Sequence, residues 1–220
     1  IMKRYIYKQL LAWKNEKEHK PLILNGARQV GKTYILREFG RNEYKRMAFF
    51  SLDRDQKALE IFNKGGRATD MLMALSAICH EDITPHDTLV VLDEIQNCPK
   101  ALEALKFFCE ETPEIDIVVA GSLLGLSIHS GVSYPVGKVE ELHLYPMTFL
   151  EFLEAMGKTQ LVNLLENKNW TVINMLETEL ISSLRQYYYV GGMPAAVLAH
   201  IEKKGWKEVR RIQQQIITDY

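Results

Sequence analysis

Residues Gly26-Ala27-Arg28-Gln29-Val30-Gly31-Lys32-Thr33 set two glycines, a lysine and a threonine at the spacing G-x-x-x-x-G-K-T. Those residue types at that spacing make a phosphate loop. The glycines let the backbone curl until successive N–H groups point inward at an anion, and a helix starting near Lys32 adds the positive end of its dipole. Lys32 is expected to reach the β- and γ-phosphates of ATP, and the Thr33 hydroxyl to ligate Mg²⁺. Gly26, Ala27, Arg28, Gln29, Val30 and Gly31 complete the cradle around the phosphates. Such a loop has to hang between a buried strand and a helix. Pro21-Leu22-Ile23-Leu24 is a short apolar run suited to a buried parallel strand. Thr33 to Phe39 has helical periodicity, and Gly40 is placed as that helix's stop.

A phosphate loop needs a metal partner and, for hydrolysis, a group that orients water. Leu89-Val90-Val91-Leu92 reads as a second strand buried on both faces, and it ends in Asp93-Glu94. Open α/β sheets bind ligands at this carboxyl end. Asp93 is placed to organise the Mg²⁺ shell, and Glu94 to act as general base toward an attacking water. A GTPase of the switch class needs D-x-x-G and N-K-x-D. Here Asp93 is followed by Glu-Ile-Gln and Asn63-Lys64 by two glycines, so neither pattern is met. The adjacent Asp-Glu pair instead resembles ATPases that carry an extra strand between the two motif strands. Ile115 to Ala120 is the candidate for that strand. It ends at Gly121-Ser122, where Ser122 can sense the γ-phosphate or cap a following helix.

The 220 residues suffice for one medium α/β domain with an appendage. A hydrophobic share of 47% and a net charge of −1 argue against a globally basic, nucleic-acid-coating protein. Nucleic acid is thus admitted as a partner but not indicated by charge. Three cysteines without C-x-x-C spacing give neither a disulfide framework nor a zinc site, which suits a cytoplasmic protein. No apolar run reaches the roughly 18 residues that span a bilayer. The six histidines are scattered and are read as structural or surface residues.

Around these motifs the pattern is a helix over 4–17, then strands alternating with helices, then helices alone. Arg46 to Leu52 is a strand, Gln56–Phe62 and Arg67–His80 are helices, and Asn97 followed by Pro99 marks an N-cap region with proline in the first turn of a helix running to about Glu110. Residues 123–135 read as an irregular loop and Val136 to Leu144 as the last strand. Strands and helices alternating in this way mean a parallel sheet with helices on both faces. From Pro146 onward the pattern is helical only, opened by a capping box of Thr148 and Glu151 with Met147 and Phe152 as hydrophobic staple. The expected division is an ATPase core over 1–145 and an all-helical lid over 146–220.

Several motifs in register then resemble one prokaryotic family. They are Asn25–Thr33, Leu92-Asp93-Glu94-Ile95-Gln96, Gly121-Ser122-Leu123-Leu124-Gly125, Tyr134 to Lys138, Pro146 to Leu153 and Tyr189-Val190-Gly191-Gly192-Met193-Pro194. The family is that of AAA+-type ATPases in which an ATPase core precedes a C-terminal domain of unknown function. The resemblance implies a five-stranded parallel sheet flanked by helices, a helical lid, ATP and Mg²⁺ as ligands, and room for a homo-oligomer. It also implies that the Gly192-Met193-Pro194 turn brings Pro194 against the nucleotide base. Because full members run on past Tyr220, the sequence reads as an N-terminal fragment whose C-terminal domain would be a partner. The leading expectation is an Mg²⁺-dependent ATPase that couples nucleotide state to movement of the lid or partner domain. The alternatives are a slow nucleotide-gated signalling switch and a motor subunit acting on nucleic acid. No arginine finger is assigned: Arg28 and Arg67 are read as surface or ion-pair residues, and Lys138 can approach the γ-phosphate or only flank the sheet.

Overall fold

The computed structural model describes residues 3–122 and 134–219. The chain divides into two compact units. One comprises Ile6–Ala27 and Gly31–Leu144; the other comprises Ile1–Tyr5, Arg28–Val30 and Tyr145–Tyr220.

The first unit is an α/β layer structure. Helix α1 (Ile6–Asn15) precedes strand β1 (Leu22–Gly26) and helix α2 (Lys32–Glu43). Strand β2 (Arg46–Ser51), helices α3 (Gln56–Lys64) and α4 (Ala68–Cys79), strand β3 (Thr88–Asp93), helix α5 (Pro99–Glu111), and strands β4 (Asp116–Gly121) and β5 (Glu140–Leu144) follow. The sheet is five-stranded in the order β2-β3-β4-β1-β5, and every pairing is parallel. Strand β4 therefore lies between the phosphate-loop strand and the acid strand, with Leu22 opposite Val118 and Val91 opposite the same residue from the other side. Strands β1, β3 and β4 are buried along their whole length, which is why they read as unbroken apolar runs rather than alternating ones. Phe50, Phe62, Leu75, Leu105, Phe108 and Val119 belong to the main core on one side of this sheet.

Three local expectations are corrected. Helix α2 does not stop at Gly40 but runs on to Glu43. Gly40 is buried in mid-helix because a Cβ there would lie 2.4 Å from Sδ of Met47 on β2, so the glycine serves close packing and not termination. Asn97 is not the cap of α5. It ends a single 3₁₀ turn, Ile95–Asn97, and Cys98 takes the N-cap position with Pro99 in the first turn. Strand β5 is also shorter than expected, starting at Glu140. Most of the loop expected over 123–135 lies outside the described residues.

The second unit carries helices at Phe149–Ala155, Thr159–Glu166, Trp170–Met175, Glu177–Val190, Pro194–Ile201 and Trp206–Thr218, with no strand among its described residues. Its first helix opens on the expected capping box. Thr148 Oγ1 accepts from Glu151 N at 3.2 Å, and Thr148 N donates to Glu151 Oε2 at 2.8 Å. Met147 and Phe152 are both buried in one cluster with Val190, Val197 and Val209, as the staple requires. Of the Tyr187-Tyr188-Tyr189 triplet, Tyr187 packs on Phe149 and Phe152 while the other two rings stay exposed. Among the described residues no helix is long and apolar enough to cross a membrane.

Candidate functional site

The loop between β1 and α2 owes its shape to two residues with positive φ. Gln29 has φ 59° and Gly31 has φ 100°. Left-handed residues alternating with ordinary ones turn successive main-chain N–H groups toward one concavity, the geometry of an anion nest. Gly31 then serves as N-cap of the twelve-residue helix α2, adding that helix's unsatisfied N–H groups. Lys32, the first helical residue, is buried, and its ammonium donates to the carbonyls of Gly26 at 2.9 Å and Ala27 at 2.8 Å.

Thr33 and Asp93 meet at the ends of α2 and β3. Thr33 Oγ1 donates to Asp93 Oδ2 at 2.7 Å across a sequence separation of 60. Asp93 is 4% exposed, and burial raises its pKa above the ordinary carboxylate value, partly offset by the hydrogen bond from Thr33. A hydroxyl and a carboxylate side by side next to a phosphate cradle are a hard-oxygen donor set. They fit Mg²⁺, which is commonly held by one or two protein oxygens together with substrate phosphates. Among the described residues no larger cluster of His, Cys, Asp or Glu competes for a cation.

Glu94 follows Asp93 in the left-handed region, φ 58° and ψ 45°, at the head of the 3₁₀ turn. That backbone is unfavourable for a side chain bearing Cβ and persists only where surrounding bonds fix it. Here the turn is closed by Asn97 N to Glu94 O at 2.9 Å, and Glu94 N donates to Asp93 Oδ1 at 3.1 Å. The Glu94 carboxylate accepts from the side-chain amide of Gln96. Ser122 is buried just past β4, whose neighbours are the strands carrying Asn25 and Asp93. Lys32, Thr33, Asp93, Glu94 and Ser122 thus share the carboxyl end of one sheet.

Arg28, Gln29, Val30 and Pro194 belong to the second unit. Arg28 Nη1 donates to the Asp219 carbonyl at 3.2 Å and Gln29 Nε2 to the Asp219 carboxylate at 2.7 Å. Val30 is fully buried. Pro194 stands in the first turn of its helix. The preceding Gly192 is pressed on the Met147 backbone, with Met147 N donating to its carbonyl at 2.7 Å. Arg67 pairs with Asp70, and Lys138 with Glu110 at 3.0 Å, so both are engaged in surface ion pairs.

Arg4 had no signal in the sequence. Its guanidinium donates to the Val30 carbonyl at 3.1 Å, to the Tyr145 carbonyl at 2.5 Å and to Glu151 Oε1 at 3.0 Å, with both charged partners under a tenth exposed. Its ionic partner lies 147 residues away, beyond any local pattern. The Gln96–Glu94 contact and the Asn25–Glu141 hydrogen bond of 3.2 Å were equally silent, although Gln96 itself closes one of the motifs.

A family model described as an AAA domain matches residues 18–153. No curated protein matches the chain. Among solved structures, the Walker-type ATPase PabY2304 of Pyrococcus abyssi is 16% identical with a TM-score of 0.61; the match covers all of this chain and 74% of that one. A structure of Drosophila ORC bound to DNA is 15% identical with a TM-score of 0.52, covering 96% of this chain and 65% of that one. At these identities the likeness is one of fold.

Proposed function

Because the chain belongs to the AAA-domain family, a family of nucleotide-binding ATPase modules, we propose that it binds ATP with Mg²⁺ at the Gly26–Thr33 loop and hydrolyses it to ADP and phosphate. The observation that carries this reading is the 2.7 Å contact between Thr33 and the buried Asp93 beside the Lys32 ammonium. Thr33 and Asp93 would hold Mg²⁺, which when bound supplies positive charge against the β- and γ-phosphates. The loop amides and Lys32 bind the triphosphate and stabilise charge on the departing β-phosphate oxygen. Glu94 takes the proton of a water whose oxygen attacks the γ-phosphorus as the bond to the β–γ bridging oxygen breaks. Ser122 would hydrogen-bond the γ-phosphate.

Residues 146–220 would act as a lid to a core of residues 1–145, with Pro194 contacting the nucleotide base. ATP and ADP are the small-molecule partners of this reading, and further partner domains or copies would read the lid's position. A slower, switch-like variant is favoured by one observation, the grip of Gln96 on the Glu94 carboxylate, which competes with water for the base.

Two variants test the scheme. Lys32→Ala should weaken Mg·ATP binding more than tenfold by calorimetry, since a charge-assisted contact contributes about 1.5–3 kcal/mol. Glu94→Gln should leave binding intact and reduce phosphate release by about 10²–10⁴-fold. Unchanged affinity in the first variant removes the phosphate-loop assignment. Wild-type turnover in the second removes Glu94 as base.

A further inference from the structure

The helix Glu177–Val190 presents one stripe to an open groove of about 680 Å³. Thr178, Ile181, Ser182, Arg185, Gln186 and Tyr189 recur along it at the three- and four-residue spacing of a single helix face, and Trp206 closes one end. A second hollow of about 310 Å³ shares Tyr189 and Trp206 and continues past them between Lys207, Arg210 and Arg211. The two aromatic rings therefore stand at the middle of one continuous surface track. They meet edge to face at 4.7 Å, and each residue is 49% exposed. Their position is fixed from behind: His200 stacks on Trp206 at 5.0 Å, and Gln213 Nε2 holds the carbonyls of Tyr189 and Val190 at 2.7 and 3.0 Å.

The charge along this track differs from that of the whole chain, which is −1. Among the described residues no carboxylate lines either hollow, whereas four cations do. Arg211 is engaged by Glu208 in a two-pronged pair at 2.7 and 2.9 Å. Among the described residues Arg185, Lys207 and Arg210 have no salt-bridge partner and are exposed. Only one aliphatic side chain, Ile181, lines the first hollow; the rest of its lining is hydroxyl, amide, guanidinium and aromatic. Flat π-faces flanked by unpaired cations suit a polyanion that carries flat groups.

We propose that this track binds single-stranded nucleic acid, with bases stacked on Tyr189 and Trp206 and backbone phosphates on Arg185, Lys207 and Arg210. The proposal stands independently of ATP hydrolysis, since it uses neither the phosphate loop nor Asp93.

The test is fluorescence anisotropy of a labelled oligodeoxythymidine of about 20 nucleotides with the whole chain, between about 50 and 200 mM NaCl. With three phosphates neutralised, log affinity should fall against log salt with a slope of about −2. Lys207→Glu with Arg210→Glu, both on exposed positions, should weaken binding at least tenfold. Lys57→Glu with Lys64→Glu on α3, the same change in net charge, should alter it less than about twofold. Trp206→Phe should retain most of the affinity while Trp206→Leu loses about tenfold, which separates stacking from mere bulk. The proposal is overturned if the oligonucleotide fails to bind at low salt, or if the α3 pair weakens binding as much as the track pair. It is also overturned if poly-glutamate displaces the oligonucleotide at equal or lower concentration, which would make an acidic protein segment the occupant.

Discussion

Asp93 shows how a residue proposed to hold a metal can cost the fold that carries it. Burial raises its pKa, so the folded state holds the carboxyl proton more tightly than the unfolded chain does. Its contribution to stability therefore declines as pH climbs from the unfolded value of about 4 through the raised folded one. Asp93→Asn keeps the size and an acceptor for Thr33 but removes the buried charge. We expect it to raise the melting temperature at neutral pH by about 2–4 °C, while Mg²⁺ no longer strengthens ATP binding. A lower melting temperature than wild type would mean that the 2.7 Å bond from Thr33 outweighs the desolvation. Arg4 behaves in the opposite way. Arg4→Met leaves Glu151 charged and buried and should cost about 3–5 kcal/mol in a urea titration. Adding Glu151→Gln, which still completes the capping box, should recover part of that loss. An additive double variant would show that the two side chains are not coupled.

The helices and strands were legible where their signals are local. Continuous apolar runs gave β1, β3 and β4, and Thr148 with Glu151 gave the helix start at Phe149. The residues that would hold phosphate and metal were legible for the same reason, because Gly31, Lys32 and Thr33 are consecutive and Asp93 ends its own strand. What the sequence hid depends on neighbours far away. Gly40 looks like a helix stop until Met47 is placed against it, and Arg4 looks like an ordinary surface cation until Glu151 meets it. Gly192 and Gly40 make the lesson testable. A Cβ at Gly192 would stand 2.4 Å from the main-chain oxygen of Met147, which cannot turn aside, whereas at Gly40 it meets a flexible methionine tip. Gly192→Ala should therefore destabilise by about 1–3 kcal/mol. Gly40→Ala should cost less, because alanine regains up to about 1 kcal/mol of helix propensity. Thermal melts of the two variants side by side decide this, and equal losses would refute it.

At the scale of the whole α/β unit, the sheet has a chemically distinct end at each side. The carboxyl ends of its strands carry the candidate ATP site, while Asp116 at the start of β4 anchors the other. His19 Nε2 lies 3.0 Å from Asp116 Oδ1, His86 Nδ1 lies 3.7 Å from the same oxygen, and Glu140 adds its field. The hydrogen bond to Asp116 raises the His19 pKa against the lowering effect of burial. A raised histidine pKa contributes stability that is fully present below the unfolded value of about 6.5 and is lost as pH rises through the folded value. Melting curves across that window should thus decline for the wild type and flatten for His19→Gln; parallel curves would show that the pair does not contribute.

The strand order also dictates a timetable. Both neighbours of β1 come late in the chain: β4 begins at Asp116 and β5 ends at Leu144. Strands β2 and β3 with the helices between them can pair as they leave the ribosome, but the strand that leads into the phosphate loop waits about ninety further residues for β4 and more than a hundred for β5. On the proposed reading, nucleotide would not act as a template for the first half of the fold, because the strand leading into its loop is among the last to be paired on both sides. Nascent chains arrested before β5 should accordingly gain no protease protection from Mg·ATP, and chains released after it should.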